Sequence, residues 1–302
     1  MKHVFFIYNP RSGKKTIVAK VTKIIDRLTK AGYDVTVRPT QKRGDATETA
    51  ARICTETTDP YYDFILCSGG DGTLNEVISG VMNCERKLPV AYIPAGSTND
   101  FAHSLNIPDN ADDALQSILA GTYFPVDIGS FNDKYFTYIA AFGAFTEVPY
   151  ETSQQQKNIL GHAAYLLEAM KHIKNIQSYN LTVTYNGNSI TDNFVLGMIS
   201  NTAYVGGLLS MNDFSLDDGM YEVTLIRTPG NPIELQKILS SLLNISQDID
   251  TEHVLYFKTS EILITCNSET ELKWTIDGES GGDQREVHIV NNRKAIKFIT
   301  SR

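Results

Sequence analysis

Apolar and polar residues alternate along this chain in two rhythms, and the change between them falls near Phe124. Upstream, apolar runs at His3–Tyr8, Tyr33–Arg38, Tyr62–Cys67 and Val90–Ile93 are separated by longer segments of helical character. Strands spaced by helices predict a parallel α/β sheet. The clearest helix runs from about Lys14 to Ala31: Ile17, Val21, Ile24, Ile25 and Leu28 recur at helical spacing, and Gly32 stands where the helix should stop. A second, Asp109 to Gly121, carries Ala111, Leu115, Ile118 and Leu119 on one face.

Beyond Phe124 apolar residues recur at every second position, as in Leu181-Thr182-Val183-Thr184-Tyr185. The Asn186-Gly187-Asn188 that follows, before another apolar run ending in Ile199, is a hairpin signal. Strand-like runs continue at Tyr221–Arg227, Val254–Thr259, Glu261–Cys266, Leu272–Ile276, Val287–Val290 and Ala295–Ile299, interrupted by helices predicted at about Lys157–Asn175 and Pro232–Leu243. The expected fold class is therefore α/β: an N-terminal parallel-sheet domain over residues 1–124 and a mainly antiparallel β domain over 125–302, whose C-terminal end is free to pack back on the first.

Composition narrows the function classes. A chain of 302 residues, about two domains by length, can bury sizeable cores without staples. A net charge of −8 argues against a general nucleic-acid binder and against attachment to anionic membrane by overall charge, leaving room only for a local basic patch such as Arg11, Lys14, Lys15 and Lys20. Cys54, Cys67, Cys84 and Cys266 show no Cys-x-x-Cys spacing and read as buried thiols of a reducing cytosol rather than as disulfides or a zinc site. The six histidines have neither metal-ligand spacing nor a partner pattern for nucleophilic catalysis. The N-terminal apolar run is too short for a signal peptide, and no run approaches the roughly 18 apolar residues of a membrane span. The expectation is a cytoplasmic protein without a transmembrane segment.

The chemistry concentrates between Phe64 and Val81, where an apolar strand ends in Ser68-Gly69-Gly70-Asp71-Gly72-Thr73 and a helix opens. Glycines let the backbone turn sharply and approach a ligand, and the helix aims unpaired N–H groups and its positive dipole end at the same spot. An anion should bind there, and Asp71 would repel it unless a cation bridged the two or the aspartate were catalytic. The other strands of this half end in Asn9-Pro10-Arg11-Ser12-Gly13, in Pro39-Thr40 and in Pro94-Ala95-Gly96-Ser97-Thr98-Asn99-Asp100. Singly these are ordinary turns and caps; together they converge on the sheet edge where open α/β folds bind ligands.

These motifs, in this order, resemble the catalytic domain shared by diacylglycerol, sphingosine and ceramide kinases, and most of all its soluble bacterial diacylglycerol kinase branch. The resemblance extends downstream to Ser215-Leu216-Asp217-Asp218-Gly219-Met220 and Asp277-Gly278-Glu279, so it covers essentially the whole chain. It implies a nucleotide-binding α/β domain, a β-sandwich domain that helps to bind lipid, and transfer of the ATP γ-phosphoryl group to a lipid hydroxyl, with diacylglycerol the leading acceptor. It implies nucleotide contacts from Asn9, Pro10, Arg11, Ser12, Gly13, Thr40, Ser68, Gly69, Gly70, Asp71, Gly72, Thr73 and Ser97, the last standing where the family usually has threonine. Asp71 would act on, or help to position, the Mg²⁺ that screens the triphosphate, and Glu279 would be the general base that takes the lipid alcohol's proton. The resemblance also implies a second, structural Mg²⁺ on Asp218 and on the backbone of Ser215 and Met220. A plain Asp-Asp-Gly turn is the alternative there.

Other readings stay open. Glu76, one turn beyond Thr73, could reach a metal-bound water or a loop amide, or could be an exposed first-turn carboxylate. The amphipathic stretch around Tyr165, Leu166, Leu167 and Met170 fits a helix capping the sheet, or the mouth of a lipid site. Ser280-Gly281-Gly282-Asp283 repeats the glycine motif but leads into no helix and reads as a flexible turn. The competing functions are an NAD kinase-like enzyme, which shares Gly-Gly-Asp-Gly, and a non-catalytic nucleotide or lipid sensor. The expected partner is a lipid substrate reached at the membrane surface, with no nucleic acid; oligomeric state is not readable, so a homodimer stays open.

Overall fold

The computed structural model describes residues 2–13, 16–55, 61–96, 99–143, 177–202, 204–205, 209–210, 215–243 and 252–301. Strands β1 (Lys2–Tyr8), β2 (Tyr33–Pro39), β3 (Phe64–Gly69) and β4 (Val90–Pro94) alternate with helices α1 (Thr16–Lys30), α2 (Asp45–Thr55) and α3 (Asp71–Met82), and α4 (Asp100–Ser104) and α5 (Ala111–Ala120) follow. The four strands run parallel in the order β2-β1-β3-β4. Every residue of β3 and β4 is buried, which is why both read as unbroken apolar runs, whereas β2 lies at the edge and alternates. From β1 the chain steps one way to β2 and then crosses back to β3. The loops at the C-terminal ends of β1 and β3 therefore diverge and open a crevice.

The second half consists of β5 (Thr122–Phe131), β6 (Lys134–Phe136), β7 (Ile139–Gly143), β8 (Tyr179–Tyr185), β9 (Asn188–Ser200), the short pair β10 (Tyr204–Val205) and β11 (Leu209–Ser210), β12 (Tyr221–Arg227), α6 (Pro232–Leu243), β13 (Val254–Thr259), β14 (Glu261–Cys266), β15 (Leu272–Ile276), β16 (Glu279–Gln284) and β17 (Glu286–Thr300). Its neighbours pair antiparallel throughout. Two cores result. One surrounds β1, β3 and β4 with Phe6, Leu66, Val77, Tyr92 and Phe101, and takes in Ile296 and Phe298 from β17. The other gathers Phe142, Leu181, Tyr221 and Ile264 around Trp274, whose ring stands edge-on to Phe131 and Phe142 at 5.1 and 4.9 Å.

Strand β17 joins the two halves. It pairs antiparallel with β5 from Ile289↔Phe131 to Thr300↔Thr122 and meets β4 in parallel at Phe298↔Val90. The runs Val287–Val290 and Ala295–Ile299, expected as separate strands, are one strand with a register shift between Asn292 and Ile296. Ser280–Asp283 is a second correction: these residues form β16, paired with β15, and are not a flexible turn. A Cβ on Gly281 would come within 2.8 Å of the Trp274 Cβ, so close packing beneath tryptophan requires that glycine. The helix expected over Lys157–Asn175, with Tyr165 to Met170, lies outside the described residues. All four cysteines are free and buried, and no described helix is long and apolar enough to cross a membrane.

Candidate active site

At the C-terminal edge of the parallel sheet, Asn9 ties two loops together. Its N–H donates to the Ser68 carbonyl at 2.8 Å, its Oδ1 accepts the Arg11 N–H at 2.9 Å, and its Nδ2 donates to Thr73 Oγ1 at 3.1 Å. The turn continues through Pro10 to Ser12, whose N–H donates to the Asn9 carbonyl. Gly13 then adopts φ +48°, and a Cβ there would stand 2.5 Å from the Ala95 carbonyl, so glycine lets this loop close on the one after β4. Thr40 joins the same edge through its N–H bond to the Tyr8 carbonyl.

The glycine loop is shorter than its motif. Strand β3 runs through Gly69 and α3 begins at Asp71, so Gly70 alone separates them. Strand end and helix start are thus nearly fused, which fixes the direction of the first-turn amides of α3 towards the crevice. A Cβ on Gly96 would lie 2.6 Å from the Gly70 Cα, so the β3–α3 and β4–α4 loops meet backbone to backbone. The Gly96 N–H donates to Asn99 Oδ1 at 2.8 Å, with Asn99 in the left-handed region. Ser97, in this loop, lies outside the described residues. Ser68 is fully buried and its hydroxyl donates to the Ile93 carbonyl at 2.9 Å, so that side chain fastens β3 to β4 and does not face the crevice. Asp71 is 9% exposed, in the first turn of α3.

The second half delivers its carboxylate to this place. Asp277 and Gly278, at φ +48° and +78°, form the two-residue corner between β15 and β16, after which Glu279 opens β16. A Cβ built on Gly72 would meet Glu279 Oε1 at 2.5 Å, so the carboxylate lies on the bare first turn of α3. Glu279 is half exposed and pairs with Arg43, on the loop before α2. Asp277 is buried and accepts five hydrogen bonds: from Thr137 N–H at 2.6 Å and Oγ1 at 2.8 Å, from Tyr138 N–H at 3.0 Å, from Ile139 N–H at 3.2 Å, and from Asn75 Nδ2 at 2.8 Å. Burial pushes its carboxyl up from the ordinary range, and the donors from Tyr138, Thr137 and Ile139 oppose that by favouring the charged form. Beside Glu279 a cleft of about 310 Å³ runs along α3, lined among others by Arg43, Thr47, Asn75, Ser79, Lys134 and Tyr135.

The turn from Ser215 to Met220 is ordered from behind. Asp127, fully buried on β5, accepts the Gly219 N–H and the Lys294 N–H, each at 2.6 Å, and its own N–H donates to the Leu216 carbonyl. Burial raises the Asp127 carboxyl against those two donors. Asp217 takes the Ser215 hydroxyl at 2.8 Å and the Lys294 ammonium at 3.3 Å, whereas Asp218 is exposed and its Oδ1 accepts the Met220 N–H at 2.9 Å. No three His, Cys, Asp or Glu side chains converge as a metal set among the described residues. Ser215, Asp218 and Met220 would offer one carboxylate and two carbonyls, oxygen donors of the kind that hard cations take.

Glu76 meets loop amides: its carboxylate accepts the N–H groups of Gly44 at 2.8 Å and Ala46 at 3.2 Å, capping α2 from a neighbouring helix. Sequence reasoning passed over Asn75, Asp127, Asp277 and Arg43 as site residues. Asp127 carried a signal, a lone carboxylate inside the apolar Pro125-Val126-Asp127-Ile128, and Asp277 another, the Asp-Gly corner between two strand-like runs. Asn75 carried only its place in the Gly-Gly-Asp-Gly-Thr-Leu-Asn-Glu-Val run, and Arg43 carried none.

Comparison with known proteins agrees with this geometry. Residues 3–131 match the model of the diacylglycerol kinase catalytic domain, and residues 142–294 match that of the YegS C-terminal NAD kinase beta sandwich-like domain. The chain is 31% identical over 300 residues to a diacylglycerol kinase of Bacillus subtilis (strain 168), covering 96% of each. It is 35% identical to one of Staphylococcus aureus (strain JH9), covering 93% of this chain and 87% of that one. A solved structure of a candidate diacylglycerol kinase from Bacillus anthracis str. Sterne superposes with a TM-score of 0.80 at 27% identity, covering 99% of this chain and 95% of the other.

Proposed function

We propose, for a chain that belongs to the bacterial diacylglycerol kinase family and is a lipid kinase, that it transfers the γ-phosphoryl group of ATP, with Mg²⁺, to the hydroxyl of diacylglycerol. The observation that carries the reading is the position of Glu279, from the second half, against Gly72 in the first turn of α3. A carboxylate is thereby held beside the point at which an anion would bind.

In this scheme residues 1–124 hold the nucleotide and residues 125–302 receive the lipid. The loops Asn9–Gly13 and Gly69–Thr73, together with Thr40, the backbone of Ser68, and Ser97, receive the nucleotide. Asp71 lies at the crevice with a hard oxygen donor suited to Mg²⁺, which when bound screens the triphosphate. The acceptor hydroxyl gives its proton to Glu279 as its oxygen bonds to the γ-phosphorus. The bond from that phosphorus to the β-phosphate oxygen breaks, and ADP leaves with the electron pair. Ser215, Asp218 and Met220 hold a second, structural Mg²⁺ in a turn already fixed by Asp127. With a net charge of −8, the protein meets the bilayer from the cytoplasmic side through a local patch, not through bulk attraction.

The test is transfer of radiolabelled γ-phosphate to a panel of lipid alcohols in mixed micelles, with NAD included. Label should appear in phosphatidic acid and require Mg²⁺. Label on NAD, or tight ATP binding with no transfer to any lipid, would replace this reading with one of its two competitors.

A further inference from the structure

The contact between Asn75 and Asp277 lies at a revealing place. Asn75 sits one turn after Gly72 on the same face of α3, and Asp277 precedes Glu279 by two residues across a tight corner. Two points of the helix thus meet two points of the hairpin. Asn75 grips Asp277 at 2.8 Å, while Gly72, bare of a side chain, receives Glu279. The grip is saturated. The second amide hydrogen of Asn75 donates to the Tyr135 carbonyl at 3.0 Å, and its Oδ1 accepts the Ser79 hydroxyl at 3.4 Å. Asp277 in turn spreads its two oxygens over the N–H groups of Thr137, Tyr138 and Ile139, and its own N–H donates to the Ile139 carbonyl. One amide side chain on the helix that starts at the glycine loop therefore holds two segments of the other half, β6 and the β15–β16 corner, and through Asp277 reaches the β6–β7 turn.

We propose that Asn75, through Asp277, is a positioning residue that sets the reach of Glu279 over the first turn of α3. Without it the hairpin keeps its attachment to Thr137–Ile139 but loses its tie to the helix, and Glu279 is then held only by Arg43. That pair is weak, with side chains 82% and 49% exposed. The proposal rests on the reading of Glu279 as the base, and the experiment separates the two.

Four enzymes are compared by steady-state kinetics in mixed micelles: wild type, Asn75→Ala, Glu279→Gln and the double variant. A displacement of the base by about 1 Å corresponds to a loss of about 10²-fold. Asn75→Ala is expected to lose roughly 10- to 100-fold in kcat with KM for ATP within about twofold of wild type. In the Glu279→Gln background the same change should cost less than about threefold, because a displaced glutamine has no proton transfer left to lose. An equal factor in both backgrounds, or a loss confined to KM for ATP, would overturn the positioning role even if Glu279→Gln is inactive. Normal turnover of Glu279→Gln would overturn the base itself. Asp277→Asn, which keeps the shape of the side chain, provides a second readout: its kcat should fall with KM for ATP unchanged, and full turnover in a folded Asp277→Asn enzyme would also refute the proposal.

Discussion

Gly72→Ala pulls stability and turnover in opposite directions, and the structure supplies both magnitudes. The residue lies in the first turn of α3 outside the left-handed region, so alanine fits its backbone without strain. Replacing glycine by alanine in a helix contributes up to about 1 kcal/mol. In a chain of this size that raises the melting temperature by about 2 °C. The new methyl group, however, has one neighbour within 4 Å, the Glu279 carboxylate, whose Oε1 would be 2.5 Å away. Ordinary contact requires the carboxylate to withdraw by about 1 Å, a displacement that costs about 10²-fold in rate, or about 2.7 kcal/mol of transition-state stabilisation. The exposed pair with Arg43 offers little resistance to that withdrawal. A thermal melt read beside kcat and KM for ATP should therefore show a variant that is at least as stable as wild type, binds ATP normally and turns over about 10²-fold more slowly. Turnover within about twofold of wild type would refute the inference that the carboxylate acts from above Gly72. A lowered melting temperature would refute the backbone argument.

Four further outcomes follow from the same geometry. Glu279→Gln should fold and bind ATP but lose about 10²- to 10⁴-fold in turnover, and Asp71→Asn should lose activity with its melting temperature nearly unchanged. Asp45 opens α2 and is held below the ordinary carboxylate range, first by the hydrogen bond from Arg38 and then by the Gln41 N–H. A depressed carboxyl stabilises the fold above its unfolded value of about 4 and ceases to do so as pH falls through its folded value. The difference in melting temperature between wild type and Asp45→Asn should therefore be full at pH 7 and shrink below about pH 4. For Asp218→Asn, elemental analysis after dialysis should find less bound Mg²⁺, and the rise in melting temperature on adding Mg²⁺ should diminish; an unchanged response would leave Ser215–Met220 a plain turn.

Legibility in the sequence followed the kind of force at work. Wherever one face of an element is buried, periodicity exposes it, and Val254–Thr259, Glu261–Cys266, Leu272–Ile276 and Pro232–Leu243 fold over the limits read from pattern alone. Pattern failed at Ser280–Asp283, because glycine placed beneath tryptophan for close packing is indistinguishable, in sequence, from glycine placed for turning. It failed again between Val290 and Ala295, where Lys294 sits at φ +53° inside a strand that shifts register and carries on. The helix of the glycine loop begins at Asp71 and not at Leu74, because the start is set by backbone geometry that polar residues do not advertise. Within the site, the motifs pointed to residues that would face a ligand. Those that hold them in place escaped: Asn75 is an ordinary polar position on a helix until Asp277 is folded against it.

Strand β17 also bears on how the molecule is made. The edge of the parallel sheet at β4 meets Phe298 of β17, so that contact forms only after the antiparallel half has been translated. On a ribosome β1 to β4 and their helices can form early, but the β4 edge then waits, with unpaired N–H and carbonyl groups, while all of the antiparallel half is translated. The interval exposes it to pairing with another nascent chain, and a chaperone that shields an open sheet edge would be expected to raise the yield of folded enzyme more than one that binds loose apolar side chains.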